Sequence, residues 1–227
     1  MESLDMLANN IANASTGGYK SDREFYSLYV APEAEADVPS TMPLIERPWT
    51  DLSQGVLTST GNPLDVALSG KGFFAVNGPA GALYTRNGSF QRANDGRLVT
   101  PDGYALRDVG GANLVLQGSG LVTIASDGTV SQDGNVVGQI EIRDFPGSAL
   151  VKRGNNYFRQ ADPSIQPAPV PDTSVAQGQL EASNAGSAES AVRLINIMRQ
   201  FEMLQKAASL GLEMNQHAIQ DVAKVGS

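Results

Sequence analysis

The 227-residue chain contains no cysteine, which excludes disulfide frameworks and thiolate metal sites while leaving the compartment open. Histidine occurs once, at His217 in a late helical stretch. General-base and metal chemistry both need convergent partners, so a lone helical histidine reads as a surface residue. No Ser-His-Asp set can be built around it, and no enzyme is expected. Basic residues are few, 16 against 24 acidic ones for a net charge of -8, and none form a run. Nucleic acid, whose phosphates reward clustered Lys and Arg, is therefore excluded as a partner. No apolar stretch reaches the length of a membrane span. The start, Met1-Glu2-Ser3-Leu4-Asp5, has neither a basic region nor an apolar core, so it is not a cleavable signal peptide. Hydrophobic residues at 41% and charged ones at 18% fit neither a wholly disordered chain nor a coiled-coil rod.

What is present divides into five segments: an N-terminal helix over 1–20, an extended linker over 21–60, a β domain over 61–162, a Pro-rich linker and return over 163–186, and a C-terminal helix over 187–227. In the first, Leu4, Leu7 and Ile11, with Ala14, recur at three- and four-residue steps, and Asn9, Asn10 and Asn13 sit off that stripe. Asparagine is a mediocre helix former, so this helix is one held by partners, and Gly17-Gly18 should end it. Pro32, Pro39, Pro43 and Pro48 mark the linker, and Trp49, the single tryptophan, marks the return to a packed body. The β domain shows short apolar or alternating runs, among them Leu64–Leu68, Phe73–Val76, Leu83–Arg86 and Val136–Phe145. Asn87-Gly88, Asp95-Gly96, Asp102-Gly103, Asp127-Gly128 and Asp133-Gly134 separate such runs and favour tight hairpin turns.

The fold class is mainly β with α-helical termini: an antiparallel β-sandwich or open-barrel body of hairpins, flanked by coiled-coil helices. The C-terminal helix carries two overlapping stripes, Leu194, Ile197, Phe201, Leu204, Ala208 and Leu194, Met198, Phe201, Ala208, Leu212, Ile219, Val222. Together they are too wide for one neighbour. Ser183 or Ser187 is positioned to cap its start. The assembly interface is accordingly assigned to Leu4, Leu7, Asn10, Ile11, Asn13, Leu194, Ile197, Met198, Phe201, Leu204, Ala208 and Leu212.

Two motifs invite ligands and are set aside. Gly70-Lys71-Gly72-Phe73-Phe74-Ala75 matches the dinucleotide-loop pattern, but a strand and not a helix follows, so it reads as a hairpin turn. Asp127 to Gly134 lacks the order and closing Glu of a calcium loop. No cofactor is expected.

The stretch Leu4-Asp5-Met6-Leu7-Ala8-Asn9-Asn10-Ile11-Ala12-Asn13-Ala14-Ser15-Thr16-Gly17-Gly18-Tyr19-Lys20 closely resembles the N-terminal signature of the flagellar basal-body rod and hook proteins. Three further blocks agree in order. They are Gly61-Asn62-Pro63-Leu64-Asp65-Val66-Ala67-Leu68 with Gly72-Phe73-Phe74; Tyr84-Thr85-Arg86-Asn87-Gly88-Ser89-Phe90 with Gly96-Arg97-Leu98-Val99-Thr100; and Gln177-Gly178-Gln179-Leu180-Glu181-Ala182-Ser183-Asn184 with Arg199-Gln200-Phe201-Glu202. The resemblance covers essentially the whole chain. It implies a subunit of the periplasm-spanning rod that transmits torque from motor to hook, of the proximal more than the distal type. Its partners would be copies of itself, other rod proteins and the flagellar type III export apparatus. Its helices would line the inner layer of the tube and its β domain would face outward. The family carries a longer stretch ahead of the Asn-rich motif, so the resemblance also implies a first helix cut short, with three residues before Leu4. The alternative reading is a secreted β domain that binds glycan or peptidoglycan on a helical stalk.

Overall fold

A computed structural model describes the backbone of residues 2–30, 41–146, 149–154, 156–168, 170 and 172–225. Side chains are described over the same ranges except at 2–3, 24–30, 41–48, 187–188, 201, 204, 208, 212–213 and 215–225. The chain forms two compact units, Met1–Ile11 with Gly186–Ser227, and Ala12–Ala185.

Helix α1 spans Glu2–Ala12 and stops short of the glycine pair expected to end it. Asn13 is the reason. Its carbonyl accepts the Thr16 amide at 3.0 Å and its side-chain oxygen accepts the Thr16 hydroxyl at 3.2 Å. Such local Asx bonding offers the backbone an alternative to the helix, and Ala14 falls outside the helical stripe. Helix α2 spans Ser187–Val225, about 58 Å at 1.5 Å per residue. Ser183 does not cap it; its hydroxyl accepts the Ala185 amide at 3.1 Å, in a turn ahead of the helix.

Segment 21–60 is extended, but it is paired. Strand β1 (Asp22–Val30) and strand β2 (Thr41–Thr50) form an antiparallel hairpin whose partners run from Asp22–Thr50 to Val30–Thr41. In a two-stranded sheet each strand has a free edge, so Pro43 and Pro48 interrupt no interior ladder. Pro32 and Pro39 lie outside the described residues. Trp49 stays 48% exposed, and burial begins two residues later at Asp51.

The body is all-β and antiparallel. Its strands are β3 (Leu57–Ser59), β4 (Val66–Ser69), β5 (Phe73–Gly78), β6 (Gly81–Thr85), β7 (Gln91–Arg92), β8 (Leu98–Val99) and β9 (Ala105–Leu106). There follow β10 (Val122–Ile124), β11 (Thr129–Gln132), β12 (Asn135–Gln139), β13 (Ile142–Arg143), β14 (Leu150–Gly154), β15 (Tyr157–Gln160), β16 (Ser174–Gln177) and β17 (Gln179–Glu181). The main sheet runs β14-β15-β6-β5-β9-β8-β7 with β13 added on β5, and β10-β11-β12 form a second sheet. The last two strands return to the first two: β16 pairs β4 and β17 pairs β3.

Strand β5 explains why its sequence is a continuous apolar run. Phe74 and Val76 enter one core with Phe90, Leu98, Leu106 and Val130, while Phe73 and Ala75 enter another with Tyr84, Phe145 and Phe158. Successive side chains alternate faces, so both faces of the strand are covered. Each buried Phe, Leu or Val among them contributes roughly 1.5–3 kcal/mol by burial.

Two of the turn expectations need correction. Asp133-Gly134 is a hairpin turn with φ of 50° and 82°, both positive as that turn requires. Asn87-Gly88 is not a hairpin turn: Gly88 passes against Val66, whose amide donates to the Gly88 carbonyl at 3.0 Å. A Cβ there would lie 1.6 Å from the Val66 carbonyl oxygen. Gly70-Lys71-Gly72 is not a hairpin turn either, because β4 and β5 belong to different sheets. It is a corner between them.

Gly88→Ala should therefore prevent folding, whereas Gly134→Ala, with open space around it, should cost only about 1–2 kcal/mol for the left-handed backbone. Phe74→Ala should cost about 3–5 kcal/mol. Urea unfolding followed by circular dichroism measures all three.

Candidate functional site

The helical unit holds the residues assigned to assembly. In α1, Leu7 and Asn10 are buried, Leu4 and Ile11 are half-buried, and the stripe extends to a polar residue the periodicity set aside. Asn13, also half-buried, lies in the turn beyond α1 and belongs to the β body. In α2, Leu194 and Ile197 are half-buried, while Met198 is 52% exposed. The side chains of Phe201, Leu204, Ala208, Leu212, His217, Ile219 and Val222 lie outside the described residues. Val192, Ile195, Met203, Leu210 and Met214 are exposed on the same helix. Glu189 and Arg193 pair at 3.1 Å one turn apart, with both side chains mostly in solvent.

The β body holds a site that periodicity could not find. Lys20, Arg86 and Glu181 are almost completely buried, and their charges meet. The Lys20 ammonium lies 2.5 Å from Glu181 Oε1, and Arg86 Nη1 lies 3.1 Å from Glu181 Oε2. Lys20 also donates to the Ser53 carbonyl, Arg86 Nη2 donates to the Gly70 carbonyl at 2.7 Å, and the Gly55 amide donates to Glu181 Oε1 at 2.9 Å. The Arg86 guanidinium lies 5.4 Å from the centre of the Phe73 ring. Burial pulls the Lys20 ammonium below its usual range, and the Glu181 carboxylate opposes that pull. Burial acts on Arg86 in the same direction, with Glu181 opposing and Asp144 adding attraction.

Each charge is delivered by a different part of the chain. Lys20 follows the turn that leaves α1, Arg86 follows β6, and Glu181 closes β17, which the β3 pairing holds in register opposite Leu57. Two glycines let the segments close. Gly18, at φ +66°, would place a Cβ 2.3 Å from the Arg86 carbonyl carbon, and its amide donates to the Glu181 carbonyl at 2.6 Å. Gly55 would place a Cβ 2.0 Å from the Ala182 carbonyl oxygen.

Asn184 ties the same segments without charge. Its side-chain oxygen accepts the Ser21 amide at 2.7 Å, and its amide nitrogen donates to the Asp51 carbonyl at 2.7 Å and the Ser53 carbonyl at 3.1 Å. Its backbone amide donates to the Tyr19 carbonyl at 3.2 Å. Alongside, Lys152 donates to the Lys20 carbonyl at 2.6 Å, pairs with Asp22 at 2.8 Å and sits 4.6 Å over the Tyr19 ring. Asn156 donates to the Gly17 carbonyl at 2.7 Å. The arrangement offers rigid positioning of two chain segments; it presents no nucleophile or base to a substrate.

Burial, with Asp22 adding repulsion, pushes the Tyr19 hydroxyl up to about 12. Burial first, then nearby carboxylates, also raises Tyr84 and Tyr157. A raised folded-state value means the stabilisation is complete below the ordinary 10.0 and is lost as pH climbs through the folded value. Lys20 and Lys152 are lowered, so they act oppositely, adding stability as pH rises, and that gain is complete by the ordinary 10.5. Above that pH the lysine gain is spent, and the loss from three raised tyrosines is opposed by Arg86 alone of these groups, lowered from its ordinary 12.5. Thermal unfolding by circular dichroism should show a melting temperature that falls between pH 10.5 and 12. Tyr19→Phe should flatten that fall.

Comparison with known proteins places these features. Residues 67–137 match the flagellar hook protein FlgE/F/G D1 domain, residues 176–221 the flagellar basal body rod FlgEFG protein C-terminal family, and residues 2–20 the flagella basal body rod protein family. Lys20, Arg86 and Glu181 each fall in a different one of the three. The chain is 35% identical to the flagellar basal-body rod protein FlgF of Caulobacter vibrioides, over 98% of this chain and 92% of that one. It is 33% identical to FlgF of Mesorhizobium japonicum, over 88% and 83% of the two chains. It is 34% identical to the rod protein FlgG of Agrobacterium fabrum, over 93% and 90%. Matches at both ends and the middle, in the order of the chain and over nearly its full length, show that this chain belongs to the flagellar basal-body rod protein family.

Proposed function

We propose that the chain is a structural subunit of the flagellar basal-body rod, of the proximal type, and that it self-assembles through its terminal helices to transmit torque from motor to hook. It is not an enzyme. The observation that carries the assembly reading is the surface of α2. At about 100° per residue, Val192, Met203, Leu210 and Met214 fall on one side of the helix, and Leu194 and Ile197 fall on the other. The first four are exposed, between 52% and 74%, and the other two are half-buried. A helix that is apolar on opposite sides is one that becomes buried when neighbours arrive.

The coiled-coil seam is assigned to Leu194, Ile197, Met198, Phe201, Leu204, Ala208 and Leu212, which form two overlapping stripes with steps suited to helix-on-helix contact. Leu4, Leu7, Asn10 and Ile11 supply the N-terminal side of it, with Asn13 at its root. The proximal position is supported by the wording of Leu64-Asp65-Val66-Ala67-Leu68 and Arg199-Gln200-Phe201-Glu202-Met203. Export through the flagellar type III apparatus belongs to the same proposal. No helix among the described residues is long and apolar enough to cross a membrane. The glycan-binding alternative finds no support among the relatives.

Leu194→Asp and Phe201→Asp should each abolish incorporation into the rod and motility, while the purified β body keeps its melting profile. Normal swimming by cells carrying either variant would sink the assembly reading.

A further inference from the structure

We propose that the Lys20–Glu181–Arg86 cluster, with Asn184 beside it, is a clasp that makes the two terminal connections mutually dependent, so that neither segment 17–21 nor segment 181–184 keeps its seat on the β body without the other. The clasp brings together residues 161 apart in sequence, Lys20 and Glu181, on a third residue, Arg86, that directly follows β6 of the body's main sheet. Backbone bonds join the same segments directly, from the Gly18 amide to the Glu181 carbonyl and from the Asn184 amide to the Tyr19 carbonyl. The intervening segment is tied to both, because the Asp51 amide donates to Ser21 and the Ala182 amide donates to Val56.

The charges make the dependence strong. With both terminal segments seated, two buried cations share one buried carboxylate. If segment 181–184 lifts away, Lys20 and Arg86 are left buried without their anion, a state that chains relieve by exposing the cations to water. Lys20 can reach water only by unseating segment 17–21. Arg86 keeps the Gly70 carbonyl and the Phe73 face, so it can stay. Loss of Lys20 is milder, because Glu181 retains Arg86 and the Gly55 amide. The coupling is reciprocal in free energy, as any coupling between two seats must be, while the two substitutions differ in severity.

Strands β5 and β6 are held by apolar cores of their own, through Phe74, Val76 and Leu83 in one and Phe73, Ala75 and Tyr84 in the other. Opening the clasp therefore releases the two roots together and leaves β5 and β6 closed. Since the chain is made from its N-terminus, Lys20 waits for the last part of the body before it can be seated. The clasp works within one chain, so its test does not depend on assembly.

Hydrogen exchange read by mass spectrometry on the full chain tests it. In Glu181→Gln, exchange should rise about 100-fold or more, the ratio expected when buried ions lose a partner, over residues 17–22 as well as 181–185. Residues 73–76 and 83–85 should keep their protection. Lys20→Met should raise exchange at the same two segments by about tenfold, the loss of one charged hydrogen bond. Loosening confined to the substituted segment would overturn the proposal, and so would a uniform rise that includes β5 and β6. Asn184→Ala, which keeps all three charges, guards against a variant that fails to fold. It should raise exchange by about tenfold at Ser21 and Asp51–Ser53, and unchanged protection there would equally overturn the clasp.

Discussion

Removing a carboxylate and two cations from water carries a penalty of several kcal/mol per ion, recovered only where geometry is good and the remaining lone pairs and protons find partners. Around Glu181 those conditions are met, except at the unpartnered Nε of Arg86, by parts of the chain that have nothing else in common. One carboxylate oxygen takes the Lys20 ammonium and the Gly55 amide, and the other takes Arg86. Gly18 and Gly55 are what allow the backbones to come close enough, since a side chain at either would collide with a carbonyl group. A buried ion cluster of this kind is weak evidence for net stability. Its value is that it accepts one arrangement of its partners and penalises the others.

That requirement also accounts for the topology at the edge of the body. The closing strands, Ser174–Gln177 and Gln179–Glu181, are short and mostly polar, and they make no long ladder of their own. They are held because β4 and β3 provide partners in register and because Val175 enters the core. Glu181 at the end of the second strand then meets Arg86, already held by the Gly70 carbonyl and the Phe73 ring, and Lys20 closes on its other oxygen.

Legibility in the sequence follows from how local each signal is. Strands β4 to β6 stand out because apolar residues line both faces, and Asp133-Gly134 names its own turn. The hairpin over 22–50 is hidden by prolines that its free edges tolerate, and β16 and β17 are hidden by polarity. Asn87-Gly88 misleads because a glycine can mark close approach as readily as a turn. Lys20 and Glu181 share no periodic pattern across 161 residues. One sign was available: Glu181 is the one charge in the block Gln177 to Asn184, and Lys20 is the first charge after Asp5 in a motif otherwise free of charge. Asn10 is similar, a polar residue buried beside Leu7 that apolar counting passes over.

The terminal helices differ from the body in what they can satisfy alone. Helix α1 has 11 residues and α2 has 39, so at 1.5 Å per residue they extend about 16 Å and about 58 Å. Val192, Ile195, Met198, Met203, Leu210 and Met214 are exposed in the single chain. Six exposed apolar side chains along one helix are too many for scattered surface residues, and burial of each by a neighbour would contribute roughly 1.5–3 kcal/mol. The body completes its own core and the helices do not. The clasp belongs to the side that is complete, since segments 17–21 and 181–184 both lie within the β body.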